Sequence, residues 1–256
     1  MTQIAMQGTL STTIINKVAT VQFGHPASNS FPRQLLNALT NELDKLSNNH
    51  EVAIIVLKSE GTGAFCAGAS FDELLAVSDL EEGTEFFSGF AHLLNAMRRC
   101  TKLIVGRIHG KAVGGGVGIA SACDYTFATA DASIKLSELA IGIGPFVIEP
   151  AVSRKIGKMA MSTMTIEAHE WKTAQWAYDK GLYAKVFLNS EALDNELDQF
   201  TKRLATYNPD SLLEMKKIIW EGTNHWETLL LERAAITGKL VLSDYAKKAL
   251  QQFKKK

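Results

Sequence analysis

Apolar positions along the chain change their period several times, and the changes mark out the elements. From Thr12 to Phe23 β-branched residues predominate, which predicts strand. From Phe31 to Leu46 the residues Leu35, Leu36, Leu39, Leu43 and Leu46 recur at helical spacing. VAIIVLKS (Val52 to Ser59) is a short, nearly unbroken apolar run, the pattern of a strand buried on both faces of a parallel sheet. The small-residue loop GTGAFCAGAS follows, and FDELLAV and EFFSGFAHLLNAMRRC then carry an apolar stripe each, as helices packed on a core do. The cycle repeats: KLIVGRIHG predicts a strand, KAVGGG a loop, VGIASACD a helix, and YTFATADASIKL a pair of short strands.

From Ala151 onward the pattern is mainly helical. TAQWAYDKGLY predicts a helix ended by Gly181, and the stretches after it predict three or four amphipathic helices. The pattern therefore divides into an α/β core over residues 1–193 and a helical region over 194–256, with no Pro/Ser linker, repeat or low-complexity tract between them.

Composition narrows the function classes. Of 256 residues 46% are hydrophobic, enough for a sizeable core. Lys and Arg (27) balance Asp and Glu (27), so there is no electrostatic reason to expect nucleic acid or an anionic membrane as partner. Cys66, Cys100 and Cys123 are odd in number, widely spaced and outside any C-x-x-C pair, which points to reduced thiols inside a cell. The opening MTQIAMQGTLSTTIINK lacks a signal-peptide pattern, and no apolar run reaches membrane-span length. A soluble, cytoplasmic protein is the expectation.

Several common chemistries lack their motifs. Gly116-Val117-Gly118 and the residues after it fall one short of the dinucleotide fingerprint, and no acid stands where a ribose would need it. No G-K-[ST] occurs, and neither His50-Glu51 nor His169-Glu170 completes H-E-x-x-H, so no metal site is expected. A G-x-S-x-G elbow is absent, and the six histidines are scattered without metal-like pairing.

Two loops remain. A loop that ends a buried strand and starts a helix points its N–H groups outward at the positive helix end, and glycine there lets a ligand approach. If Ala67 to Ser70 and Gly114 to Gly116 lie side by side at the ends of neighbouring parallel strands, one N–H from each can hold a single oxygen. Close packing of helix on sheet explains the small residues equally well.

The motifs decide between these readings by resemblance. GKAVGGGVGIASACD, preceded by KLIV and His109-Gly110, resembles the signature of the crotonase family of enoyl-CoA hydratases and isomerases. AFCAGASFDEL is similar to that family's first oxyanion loop, KLSELAIGIGP to the stretch carrying its second glutamate, and AQWAYDKGLYAKVF, NPDSLLEMKK and LVLSDYAKKAL to its later segments. The resemblance implies a spiral of repeated ββα units with a C-terminal helical trimerisation region, a homotrimer or dimer of trimers, and acyl-CoA thioesters as substrates. It implies no cofactor beyond the substrate's own coenzyme A. It also implies that Ala69 and Gly115 supply the oxyanion N–H groups, and that Ala27, Ala67, Gly68, Ser70, Phe71, Gly114, Gly118, Ser137, Ile143, Pro145 and Phe146 lie along the substrate.

Departures from the family pattern carry the finer expectation. Hydratases of this family keep one glutamate just beyond the glycine triplet and another in a P-E pair; here these positions are Gly118 and Glu138, the latter preceded by Ser137. Adding water across a conjugated double bond is shared by two carboxylates, whereas moving a double bond from C3=C4 to C2=C3 needs a single one that reaches both C2 and C4. Δ3,Δ2-enoyl-CoA isomerases of mitochondrial type resemble this pattern, and AIGIGPFVI is similar to the stretch after their glutamate. Glu138 is accordingly expected to be the proton shuttle, its pKa raised among Ile143, Pro145 and Phe146. Asp124 reads as structural, and Glu149 remains a rival carboxylate. Hydration of an enoyl-CoA or methylglutaconyl-CoA, decarboxylation of a glutaconyl thioester, and non-catalytic acyl-CoA or RNA binding stay open as alternatives.

Overall fold

The Thr12–Phe23 stretch folds back on itself as a hairpin of β1 (Thr9–Ile15) and antiparallel β2 (Val18–Gly24). Asn16 and Lys17 make the turn with φ angles of 51° and 65°, the left-handed pair of a tight two-residue hairpin turn. Lysine is unusual there, so no glycine signal announces this turn in the sequence. The computed structural model describes residues 8–253. Six more strands follow in chain order: β3 (Ile54–Ser59), β4 (Leu103–Ile108), β5 (Ala112–Val113), β6 (Tyr125–Thr129), β7 (Ile134–Lys135) and β8 (Lys185–Phe187). All but β5 and β7 join one sheet of order β1-β2-β3-β4-β6-β8, parallel from β2 onward.

The helices are α1 (Arg33–Ser47), α2 (Phe71–Ala76), α3 (Leu80–Arg99), α4 (Gly115–Ala122), α5 (Glu149–Ile166), α6 (Ala174–Asp179), α7 (Ser190–Leu204), α8 (Pro209–Ile219), α9 (Trp226–Val241) and α10 (Asp244–Phe253). They cover both faces of the sheet, as the unbroken apolar strands require. Ile55, Leu57, Ile104 and Ile108 point into the main core with the leucines of α1. Their strand neighbours Ile54, Val56 and Val105 pack on the other face against Leu193 and Leu197 of α7. Leu193, where the core was expected to end, thus lies inside a helix that seals the sheet.

A second, smaller layer of main-chain pairing positions the site. After β2, β3, β4 and β6 the chain runs through a short extended segment before its next helix, and these segments pair with one another. Cys66 bridges Ala112, β5 pairs with β7 in parallel, and Phe31 bridges Ala69. Each circuit therefore contributes a long strand, a short strand and a helix, which is the expected spiral of ββα units.

The C-terminal helices are tied to this body rather than set apart. α9 packs along α3. α8 is held by Asp124, whose carboxylate accepts from Ile104 N at 2.7 Å, Lys216 Nζ at 3.0 Å and Trp220 Nε1 at 2.7 Å. Both side chains of the Asp124–Lys216 pair are 3% exposed, and Lys216 also donates to the carbonyls of Met97 and Lys102. A buried pair with its donors satisfied is a structural fastening, as expected for Asp124. No helix among the described residues is long and apolar enough to cross a membrane.

Candidate active site

The two glycine-bearing loops meet, and Gly68 shows how closely. Its φ is +89°, and a Cβ there would stand 2.9 Å from Val113 O and 3.3 Å from Gly115 N. Only glycine allows that approach. The first loop is fixed by Phe31 N donating to Gly68 O (2.8 Å) and Ser70 N to Phe31 O (2.9 Å), so the amide of Ala69 between them is left out of the pairing. The second is fixed by Gly114 N donating to Lys135 O (2.9 Å) and by Gly114 O accepting from Val117 N and Gly118 N. Gly115 opens α4, and its amide takes part in none of the bonds that hold the loop. Two main-chain donors are thereby available side by side, one of them at the positive end of a helix.

The pairing of β5 with β7 brings Glu138 to the same place. Lys135 ends β7, and Glu138 begins a single 3₁₀ turn (Glu138–Ile141) closed by Gly142 at φ +79°. A Cβ on Gly114 would lie 2.7 Å from Glu138 Oε1, so the carboxyl rests against the second loop. The residue as a whole is half-buried, but Oε2 is enclosed and has no hydrogen-bond partner. Burial pushes the carboxyl up to about 7, outweighing the main-chain N–H groups of Glu138 and Ser137 that pull it down.

Around these groups lies an apolar cavity of about 170 Å³. Ala67, Gly68, Ala69, Phe71, Gly114, Gly115, Ser137, Glu138, Ile143, Pro145 and Phe146 all line it, so the structure brings most of the expected residues together. Glu138 is the one carboxyl group on the wall among the described residues, and no Lys, Arg or His is present there.

Three expected substrate-side residues lie elsewhere. Gly118 is buried in α4 behind Ile148: a Cβ on Gly118 would stand 2.7 Å from Ile148 Cβ and would overlap Cγ2. The position where hydratases of the family keep an acid is thus filled by a branched aliphatic side chain that itself lines the cavity. Ser70 is buried off the wall, its hydroxyl accepting from Glu73 N (3.4 Å) to cap α2. Ala27 sits on an exposed turn, joined to the first loop through its neighbour Ser28, whose carbonyl accepts from Ala67 N (3.1 Å).

The rival carboxylate is occupied. Glu149 opens α5 and bonds Lys158, Ser153 and Arg233. Partial burial pushes its pKa up, but those three partners together hold it below the ordinary value. Sequence reasoning missed Leu74, Phe87, Phe90 and Thr237 on the wall. Their helical stripes read as ordinary core, and no local signal separates a cavity wall from a core face.

Comparison with known proteins agrees with the fold. The family model described as enoyl-CoA hydratase/isomerase matches residues 13–256, and the chain belongs to that family, within the crotonase superfamily. A probable enoyl-CoA hydratase of Bacillus subtilis is 26% identical over 241 residues, covering 93% of each chain. The peroxisomal Delta(3,5)-Delta(2,4)-dienoyl-CoA isomerase of Arabidopsis thaliana is 26% identical over 192 residues, 69% of this chain and 67% of that one. Among solved structures, an enoyl-CoA hydratase from Bacillus halodurans superimposes with a TM-score of 0.87 at 21% identity, covering 95% of this chain and 99% of that one. The last likeness concerns the fold.

Proposed function

We propose that the chain isomerises a Δ3-enoyl-CoA to the Δ2-enoyl-CoA, with Glu138 as the only proton carrier. The thioester oxygen lies between the amides of Ala69 and Gly115. Glu138 takes a proton from C2, and the C–H electron pair moves onto the thioester oxygen as an enolate. The electrons return through C2=C3 as the C3=C4 bond opens, and Glu138 delivers the same proton to C4. The carboxylate is regenerated, with no cofactor beyond the substrate's own coenzyme A. An oxyanion-hole donor is worth about 2.7–4 kcal/mol in known cases, so the two amides supply much of the rate without a side chain.

One observation carries the reading: among the described residues the cavity wall holds a single carboxyl, and Ile148 fills the space at Gly118 where a second would stand. A pKa near 7 suits a group that must both accept and release a proton at neutral pH. The hydratase reading is favoured by the name of the Bacillus subtilis relative. Against it, no second carboxylate lies on the wall among the described residues to orient a water. Methylglutaconyl-CoA and glutaconyl thioesters carry an extra carboxylate, and a wall with no cation among the described residues would bury that charge unpaired. The reading also includes a homotrimer or dimer of trimers on the C-terminal helices, supported by exposed Ile218, Ile236 and Tyr245.

The test is purified protein with 3-hexenoyl-CoA and, separately, with 2-hexenoyl-CoA in water. Conjugated-thioester absorbance rises with the first and stays constant with the second. Rapid loss of absorbance from the second, with no gain from the first, would overturn the proposal in favour of hydration.

A further inference from the structure

Helix α9 is a wall of the cavity, and its position limits what the cavity holds. It crosses α3 at a pair of glycines: a Cβ on Gly83 would stand 2.8 Å from Gly238 O, and a Cβ on Gly238 would stand 2.5 Å from Thr84 N. Backbones this close leave α9 no room to move inward, and moving it outward would open a gap in a packed interface. The crossing holds Thr237, 2% exposed, on the cavity wall. Its hydroxyl already donates to Arg233 O (3.0 Å), so Thr237 adds bulk there rather than a polar anchor. Arg233 in turn donates to Phe146 O (3.3 Å) and pairs with Glu149, which ties the opposite wall to the same helix.

The depth follows from α3. A Cβ on Gly115 would strike the Phe90 ring, so Phe90 marks the reacting end. Phe87 lies about 4.5 Å from Phe90 along the helix axis and lines the same cavity. A dry apolar cavity of about 150 Å³ takes up benzene, a ring of six carbons, and this cavity of about 170 Å³ is of that size.

Resting on the isomerase reading for its chemistry, we propose that this site selects short acyl thioesters of about four to six carbons, and that Thr237 and Phe87, held by the Gly83–Gly238 crossing, set the limit. Saturated butanoyl-, hexanoyl-, octanoyl- and decanoyl-CoA, titrated calorimetrically into the full-length protein, read this without turnover. They have no double bond to move or hydrate, so their order of binding is independent of which reaction the site performs. Failure of 3-enoyl turnover would strike the isomerase reading and leave this order to be judged by itself.

The expected result is hexanoyl-CoA binding at least about tenfold more tightly than decanoyl-CoA. Thr237→Ala and Phe87→Leu each narrow that ratio at least about threefold, while Thr237→Val leaves it unchanged. Decanoyl-CoA binding as tightly as hexanoyl-CoA in the wild type overturns the proposal, and so do folded truncations that keep the wild-type ratio. The wild-type series decides the length limit by itself, whether or not each variant folds.

Discussion

Replacing Glu138 with glutamine keeps the shape of the side chain and removes a charge that the fold holds at a cost. The unfolded chain releases this proton near 4.5 and the folded chain near 7. Between those values the folded state carries the extra proton, so stability falls as pH rises, and the full penalty is present above about 7. Below 4.5 the carboxyl is protonated in both states and the penalty is absent. At about 1.4 kcal/mol per pKa unit the shift corresponds to about 3 kcal/mol. Relaxation and partial exposure reduce this, leaving about 1–3 kcal/mol. Glu138→Gln is therefore expected to match the wild type in urea unfolding near pH 4.5 and to exceed it by about 1–3 kcal/mol at pH 8. Isomerase activity at pH 8, where the wild-type base is ionised, is expected to fall at least about 10³-fold. In the wild type, kcat/KM should rise with pH through a midpoint near 7, because the base must be ionised to act. A glutamine variant no more stable than wild type at pH 8, or one that keeps its activity, would refute the assignment of an enclosed carboxyl, its Oε2 without a partner, as the shuttle.

The remaining expectations follow from close packing around the same groups. Gly68→Ala drives a Cβ toward Val113 O and Gly115 N at a φ of +89° and separates the two amides; kcat should drop about 100-fold with the circular dichroism of the fold retained. Gly118→Glu alone collides with Ile148 and should lose at least about 2 kcal/mol in denaturant unfolding. With Ile148→Ala added, it should regain stability and acquire measurable hydration of 2-hexenoyl-CoA. Asp124→Ala strands Lys216 without its carboxylate and should cost about 3–5 kcal/mol, with kcat per folded molecule unchanged, since Asp124 does not line the cavity.

Much of this site is legible in the chain because its parts are local. Apolar runs ending in small-residue loops place the two amides, and the short step from β7 places Glu138 beside them. The acid missing at Gly118 is also visible in the sequence. What replaces it is not, because Ile148 reaches Gly118 only through the path of the Gly142–Ile148 loop. That same path leaves Gly118 behind the wall instead of on it. Ser70 was expected along the substrate because its loop is, but a serine just before a helix is also an N-cap, and here that local bond is the one it makes. Thr237 is the clearest limit. Its helix reads as one amphipathic segment among several near the chain end, and its place on the cavity wall depends on a crossing between Gly83 and Gly238, far apart in sequence. The hairpin at Asn16-Lys17 was missed for the opposite reason: its turn is local but carries no glycine to signal it.

A labelled substrate tests the single-carboxyl account most directly. With 3-hexenoyl-CoA deuterated at C2, one base working in an enclosed apolar cavity should carry part of the label across to C4, and mass spectrometry of the product should find 2-hexenoyl-CoA with deuterium at C4. A product that has gained water, or a 2-enoyl thioester with no deuterium at C4, would contradict it.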